Sequence, residues 1–142
     1  MKSIFKSSIS IICLLLIFNT SNGQALMPQV SSSQTVIQDF GLGKVTLNYS
    51  RPSMNNRKIF GTLEPYGAVW RTGANGATTL TFTDEISING NKVPAGKYAL
   101  FTIPNKDNWT IILNKNTELW GAYEYKKEDD LLRIDVKPSK LN

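Results

Sequence analysis

From Thr35 to Val136 the chain is built of short runs in which apolar and polar residues alternate, divided by glycine, asparagine and proline. A two-residue period of this kind marks strands with one buried face. Thr35 to Phe40 and Lys44 to Ser50 flank Gly41, Leu42 and Gly43. In the second run Val45, Leu47 and Tyr49 alternate with Thr46, Asn48 and Ser50, which predicts a hairpin with one wet face. Thr78 to Thr83 puts Leu80 and Phe82 on one side, and Ile86 to Ile88 leads into the turn pair Asn89-Gly90, a second hairpin. Lys97 to Ile103 and Trp109 to Asn114 carry apolar residues on both faces, as central strands do. Leu119 to Tyr125 predicts an aromatic strand bending at Gly121, and Lys126 to Asp130 a solvated charged turn. In Leu131 to Val136, a last strand, Leu132, Ile134 and Val136 alternate with Arg133 and Asp135. No helix of any length is indicated. The expected fold is all-β, a small antiparallel β-sandwich, with a partly closed β-barrel as the alternative.

Ahead of these strands, Lys2 and Lys6 precede the apolar stretch Ile9 to Phe18 and the small polar run Asn19 to Gly23, the layout of a secretory signal peptide. Ser21 and Gly23 place cleavage before Gln24. The apolar stretch is well short of the roughly 20 residues that cross a bilayer, and nothing later resembles a membrane span. Cys13 sits inside the apolar stretch after Ile12, where a lipidation site wants a small residue. The expected organisation is a signal peptide over 1–23, a flexible polar lead over 24–34, and one β-rich domain over 35–142. The expected destination is the periplasm or the cell exterior.

That cleavage removes the sole cysteine, and the sequence has no histidine. Disulfides, Cys/His metal sites, a thiol nucleophile and a Ser-His-Asp relay are thereby excluded from the mature chain. Two of the lysines behind the formal net charge of +5 lie in the leader, and the rest of the charge is interspersed. With no basic run, nucleic acid is not an expected partner.

The stretch from Tyr49 to Thr78 breaks the strand pattern. Between Pro52 and Gly76 about 25 residues show no period, whereas loops beyond roughly 12 to 15 residues are mostly functional or disordered. Ile59, Phe60, Leu63, Tyr66, Val69 and Trp70 supply apolar anchors, so the loop is expected to pack across the sheet. Arg51, Arg57 and Arg71, three of the four arginines, fall here. A guanidinium offers a planar fork to carboxylate or phosphate and stacks on aromatic faces. Tyr66 and Trp70 are candidates for the stacking surface, and Asn75 for a two-way amide. Arg51, Arg57, Tyr66, Trp70, Arg71 and Asn75 thus form the candidate ligand-binding set, suited to a small anionic or carbohydrate-like ligand. The competing structural reading has the arginines tie the loop down by pairing with Glu64, Asp84 or backbone carbonyls.

Carboxylate chemistry is the enzymatic alternative. Glu64, with Asp84, Glu85 or Glu118, would have to form the acid/base pair of glycoside hydrolysis, which needs carboxyl groups about 5 to 10 Å apart. Trp109, Trp120, Tyr123 and Tyr125 are candidates for a sugar-binding face, though aromatics on strands of a small sandwich are mostly core.

The runs YSRPS, RKIFG, PYGAVWRTGAN, VPAGKYALFTIP, WTIILNK and WGAYEY, in colinear order from Val36 to Pro138, resemble the bacterial exported family known as domain of unknown function 2911. The resemblance implies a small exported β-rich domain and no established activity. The family pattern has an acidic residue after Gly-Ala-Asn where this chain has Gly76. Its members also run on past the position of Pro138, so the end at Asn142 implies a shortened copy with an exposed sheet edge.

The residues as read predict a non-enzymatic exported module that binds a small anionic or carbohydrate-like ligand or a partner protein. A glycoside-type hydrolase and a purely structural domain are the alternatives. No side chain is assigned a catalytic role, and no cofactor or metal is implied.

Overall fold

The paired strands β1 (Ser32–Phe40) and β2 (Gly43–Arg51) run in unbroken antiparallel register from Phe40↔Gly43 at the turn to Ser32↔Arg51 at the open end. The computed structural model of the chain describes residues 29–139; the leader expected over 1–23 and the start of the lead lie outside them. After the long loop come β3 (Thr78–Phe82), β4 (Ile86–Ile88), β5 (Asn91–Val93), β6 (Gly96–Ile103), β7 (Trp109–Asn114) and β8 (Asp130–Val136). Six of these form one antiparallel sheet in the order β1-β2-β3-β6-β7-β8, while β4 and β5 pair separately. Asn89 and Gly90, with φ of 49° and 80°, turn that hairpin. Two successive positive φ values are what a tight hairpin turn requires and what Asn-Gly accepts readily.

Alternation along β6 builds two cores. Tyr98 and Leu100 join Phe82, Leu80, Val45 and Leu113 on one face, where the β4–β5 hairpin closes over them with Ile86, Ile88 and Val93. Ala99, Phe101 and Ile112 point to the other face and meet Leu119, Val69, Ala77, Ala122 and Tyr125 from the loops. Phe101 and Ile112 are fully buried. The fold is therefore all-β, a small antiparallel β-sandwich with one long packed loop. Its main sheet ends at β1 and β8 and is not closed, so the barrel alternative does not apply.

Three sequence expectations change. β1 begins at Ser32 rather than Thr35, because Ser32 and Ser33 pair with Arg51 and Ser50, and Gln34 accepts hydrogen bonds from Tyr49 Oη and Arg51. Leu119 to Tyr125 is not a strand. Trp120 makes a single bridge to Gly76, and the chain then turns at Gly121, whose φ is +75°. Trp120 and Tyr123 are exposed, whereas Trp109 and Tyr125 pack on other rings.

Asp130 does not belong to a solvated turn. After a 3-10 turn over Lys127–Asp129 its side chain is only 6% exposed. It accepts from Tyr125 Oη at 2.5 Å, Asn114 Nδ2 at 2.8 Å and Arg133 Nη1 at 2.9 Å. Burial, together with the hydrogen bond and the negative charge of Asp130, pushes the Tyr125 hydroxyl's pKa upward. Asn114, itself fully buried, also donates to Lys126 O at 3.1 Å, so the cluster pins the incoming chain to β7 before β8 begins.

Removing the carboxylate leaves the Tyr125 hydroxyl without its acceptor and takes one of two acceptors from Asn114 Nδ2 and from Arg133 Nη1. Asp130→Ala is expected to lower unfolding free energy in urea by about 2 kcal/mol, and Tyr125→Phe by about 1 kcal/mol. An Asp130→Ala midpoint equal to wild type would show that the cluster holds nothing.

Candidate functional site

The ladder between β3 and β6 reaches only as far as Thr78↔Leu100. Beyond it the loop takes the place of β3, for Trp70 exchanges both backbone hydrogen bonds with Thr102, at 2.8 and 2.9 Å. The chain between Trp70 and Thr78 has to double back within eight residues, and it does so through Thr72 and Asn75, with φ of 58° and 60°. A β-branched residue in that region is strained. Thr72 is held there because its Oγ1 lies 3.1 Å from Thr102 Oγ1 and its carbonyl accepts from Thr78 Oγ1 at 2.9 Å.

On the side of the bridge where Trp70 points, its ring meets Phe60 edge-on at 5.6 Å and Trp109 at 6.4 Å, and Phe60 meets Trp109 at 4.8 Å. Two rings of this cluster, Phe60 and Trp70, line a cavity of about 660 Å³, a size typical of small-molecule sites. Its walls come from Val30 and Ser31 before β1, from Pro52 to Asn55 and Arg57 after β2, from Ile59, Phe60, Leu63 and Glu64, and from Trp70, Arg71 and Gly73 to Asn75. Backbone hydrogen bonds from Gly61 N to Glu64 O and from Glu64 N to Ile59 O fold the third wall into a compact turn.

Of the six candidate residues, the cavity brings together Arg57, Trp70, Arg71 and Asn75, and leaves out Arg51 and Tyr66. Arg51 lies exposed at the end of β2 and donates to Gln34 Oε1 at 3.3 Å. Tyr66 lays its ring over Gly61. Asn75 spends its amide on Gln29 Oε1, at 2.7 Å, and Ser31 O, at 3.3 Å, tying the lead to the cavity rim.

The two arginines in the wall differ. Arg57 donates through Nε to Met54 O at 3.0 Å and through Nη2 to Ser53 O at 2.7 Å, so it braces its own turn. Arg71 is half-buried and makes neither a side-chain hydrogen bond nor an ion pair among the described residues, and its Nε is buried without a partner. Trp70 Nε1 is also buried and unpartnered. Buried donors without acceptors cost about 1–3 kcal/mol each, and two of them occur on adjacent residues of the same wall.

Glu64 is the one carboxylate among the lining residues. Burial raises its pKa, and the positive charge of Arg71 nearby offsets this only in part. The other acids considered for a catalytic pair lie elsewhere. Asp84 and Glu85 border a smaller hollow at the β1–β2 turn, and Glu85 and Glu118 pair with Lys92 and Lys97. Among the described residues no group of three His, Cys, Asp or Glu side chains is placed to hold a metal ion. Val30, Met54 and Ala74 line the cavity without having been singled out in the sequence, where nothing distinguishes them from other small or apolar loop residues.

The family described as "Protein of unknown function (DUF2911)" matches residues 31–142. No curated protein and no solved structure matches the chain.

Glu64 also sets a pH dependence. A carboxyl whose folded pKa is raised stabilises the fold fully below its unfolded value, near 4.5, and that stabilisation is lost as pH rises through the folded value. Glu64→Gln stays neutral, so it is expected to remove this fall and to be the more stable protein at neutral pH. Urea midpoints measured across the weakly acidic range test this, and parallel profiles for the two proteins would contradict it.

Proposed function

The chain belongs to the DUF2911 family, and we propose that it serves as an exported binding module whose cavity holds a small anionic ligand. Export is supported by the leader-like pattern of residues 1–23. The observation that carries the binding reading is Arg71, a half-buried guanidinium in a cavity wall with no partner among the described residues. A cation removed from water without a counter-charge is unfavourable, and an arriving carboxylate or phosphate supplies that charge and takes the planar fork. Glu64 lies near enough for Arg71 to offset part of the burial-driven rise in its pKa but forms no ion pair with it.

A sugar suits the cavity less well. The two rings in its lining, Phe60 and Trp70, are engaged edge-to-face with each other and with Trp109, which limits their use as a platform for stacking a pyranose. A hydrolase of the two-carboxylate kind finds one acid in the lining, Glu64.

Arg71→Met keeps an apolar stem and loses the charge. Without ligand it is expected to be at least as stable as wild type, because it removes a buried unpaired donor. Arg57→Met, which loses hydrogen bonds to two carbonyls, is expected to be destabilised by about 1–2 kcal/mol. Thermal-shift screening against carboxylates, phosphate esters and neutral sugars should find an anion that stabilises the wild type, by about 2.7 kcal/mol at one hundred times Kd. Arg71→Met should not respond. Should no anion stabilise the wild type while Arg71→Met is sharply destabilised, the arginine is structural and the binding reading fails.

A further inference from the structure

We propose that the ligand is a monocarboxylate with an apolar body, its head group on Arg71 and its body over Met54, Ile59, Phe60, Leu63 and Trp70. The inference rests on the anion-binding reading above and narrows it on three grounds.

The first is charge. Arg57, Arg71 and a single acid, Glu64, line the cavity, so the ionised lining carries one positive charge in excess. One negative charge balances it. A dianionic phosphate would place a second negative charge beside Glu64 with nothing to offset it, and an uncompensated buried charge is strongly unfavourable.

The second ground is volume. A carboxylate or phosphate alone fills the space of a few waters, each about 30 Å³, whereas the cavity measures about 660 Å³. Most of the space is left to the rest of the ligand, and the walls there are aliphatic, thioether and aromatic.

The third is the state of the polar groups. The Asn75 amide is engaged by Gln29 and Ser31, and the Ser53 and Met54 carbonyls by Arg57. The unengaged side chains of Ser53 and Asn55 are exposed, so a polyhydroxylated ligand would find few buried partners for its hydroxyls, and each unpaired one is costly. Arg71 is then the one cation in the lining with no hydrogen-bond partner among the described residues, and Met54, Ile59, Phe60, Leu63 and Trp70 line the same cavity, which suits a ligand with one charged group and an apolar body.

The test is a titration series by calorimetry with straight-chain alkanoates from two to ten carbons, below their micelle concentrations. Matched alkanols, inorganic phosphate and glucose serve as comparators. Each added methylene is expected to lower Kd about three- to fourfold until the cavity is full. Each acid should bind at least about tenfold more tightly than its alkanol, in line with a charge-assisted bidentate contact. Arg71→Met should abolish the acid-over-alkanol preference and keep the chain-length slope, whereas Phe60→Ser should flatten the slope. Tight phosphate binding with no chain-length slope would overturn the monocarboxylate and leave the anion reading standing. A slope with no preference for acids over alkanols, or no binding of any anion, would overturn both.

Discussion

The backbones of Trp70 and Thr102 exchange two hydrogen bonds, 2.8 and 2.9 Å long, and these seat the middle of the loop on the free side of β6 where β3 has already ended. Neighbouring side chains of an extended segment leave on opposite sides, so the bridge seats Trp70 in the ring cluster with Phe60 and Trp109 while Arg71 leaves separately and still borders the cavity. The guanidinium then lies beside the backbone of Gly121, with Nη1 3.8 Å from where a side chain would begin there. Had β3 continued in register beyond Thr78, this side of β6 would be an ordinary strand pair with no space for a cavity. The hollow follows from the exchange of a strand for a loop along one edge of one strand.

Away from that exchange, the local rules agree with one another. Alternation places Phe101 and Ile112 in one core and Tyr98 and Leu113 in the other, Asn-Gly makes its hairpin, and buried Asp130 has three donors. At the exchange they do not. Thr72 is held at positive φ, and adjacent residues bury an indole N–H and a guanidinium Nε with no acceptor. Such concentrated violations, in a chain otherwise consistent across levels, are characteristic of sites where stability is given up for function.

Much of the sheet is legible in the sequence because period-two burial is written directly into residue order, and β7 is bounded by Trp109 and Asn114 as its pattern predicts. The start of β1 is not, since Ser32, Ser33 and Gln34 have no apolar period and are held by pairing with β2 and by Tyr49 and Arg51. The aromatic run from Leu119 imitates a strand in composition, yet the left-handed backbone at Gly121 decides otherwise. For the cavity, composition points to an arginine-rich loop, and four of its six candidate residues converge. What composition lacks is the distance to a carbonyl. Arg57 finds Ser53 O and Met54 O through the turn at Asn55 and Asn56, Arg51 finds Gln34 across the hairpin, and Arg71 finds none among the described residues.

All nine residues of β1 are exposed, so its attachment to the sheet is a backbone ladder with a few polar side-chain contacts and little buried apolar surface. Detaching it disturbs neither core, which makes β1 a unit that opens at a fraction of the free energy of global unfolding, while β6 and β7 open only with the whole domain. Val30 and Ser31, immediately ahead of β1, are also wall residues of the cavity, and Asn75 grips Ser31 and Gln29. The cavity thus borrows part of its rim from the segment leading into an edge strand that contributes to neither core. Any occupant that touches that rim draws on the same equilibrium, so hydrogen exchange along β1 and occupancy of the cavity are thermodynamically linked.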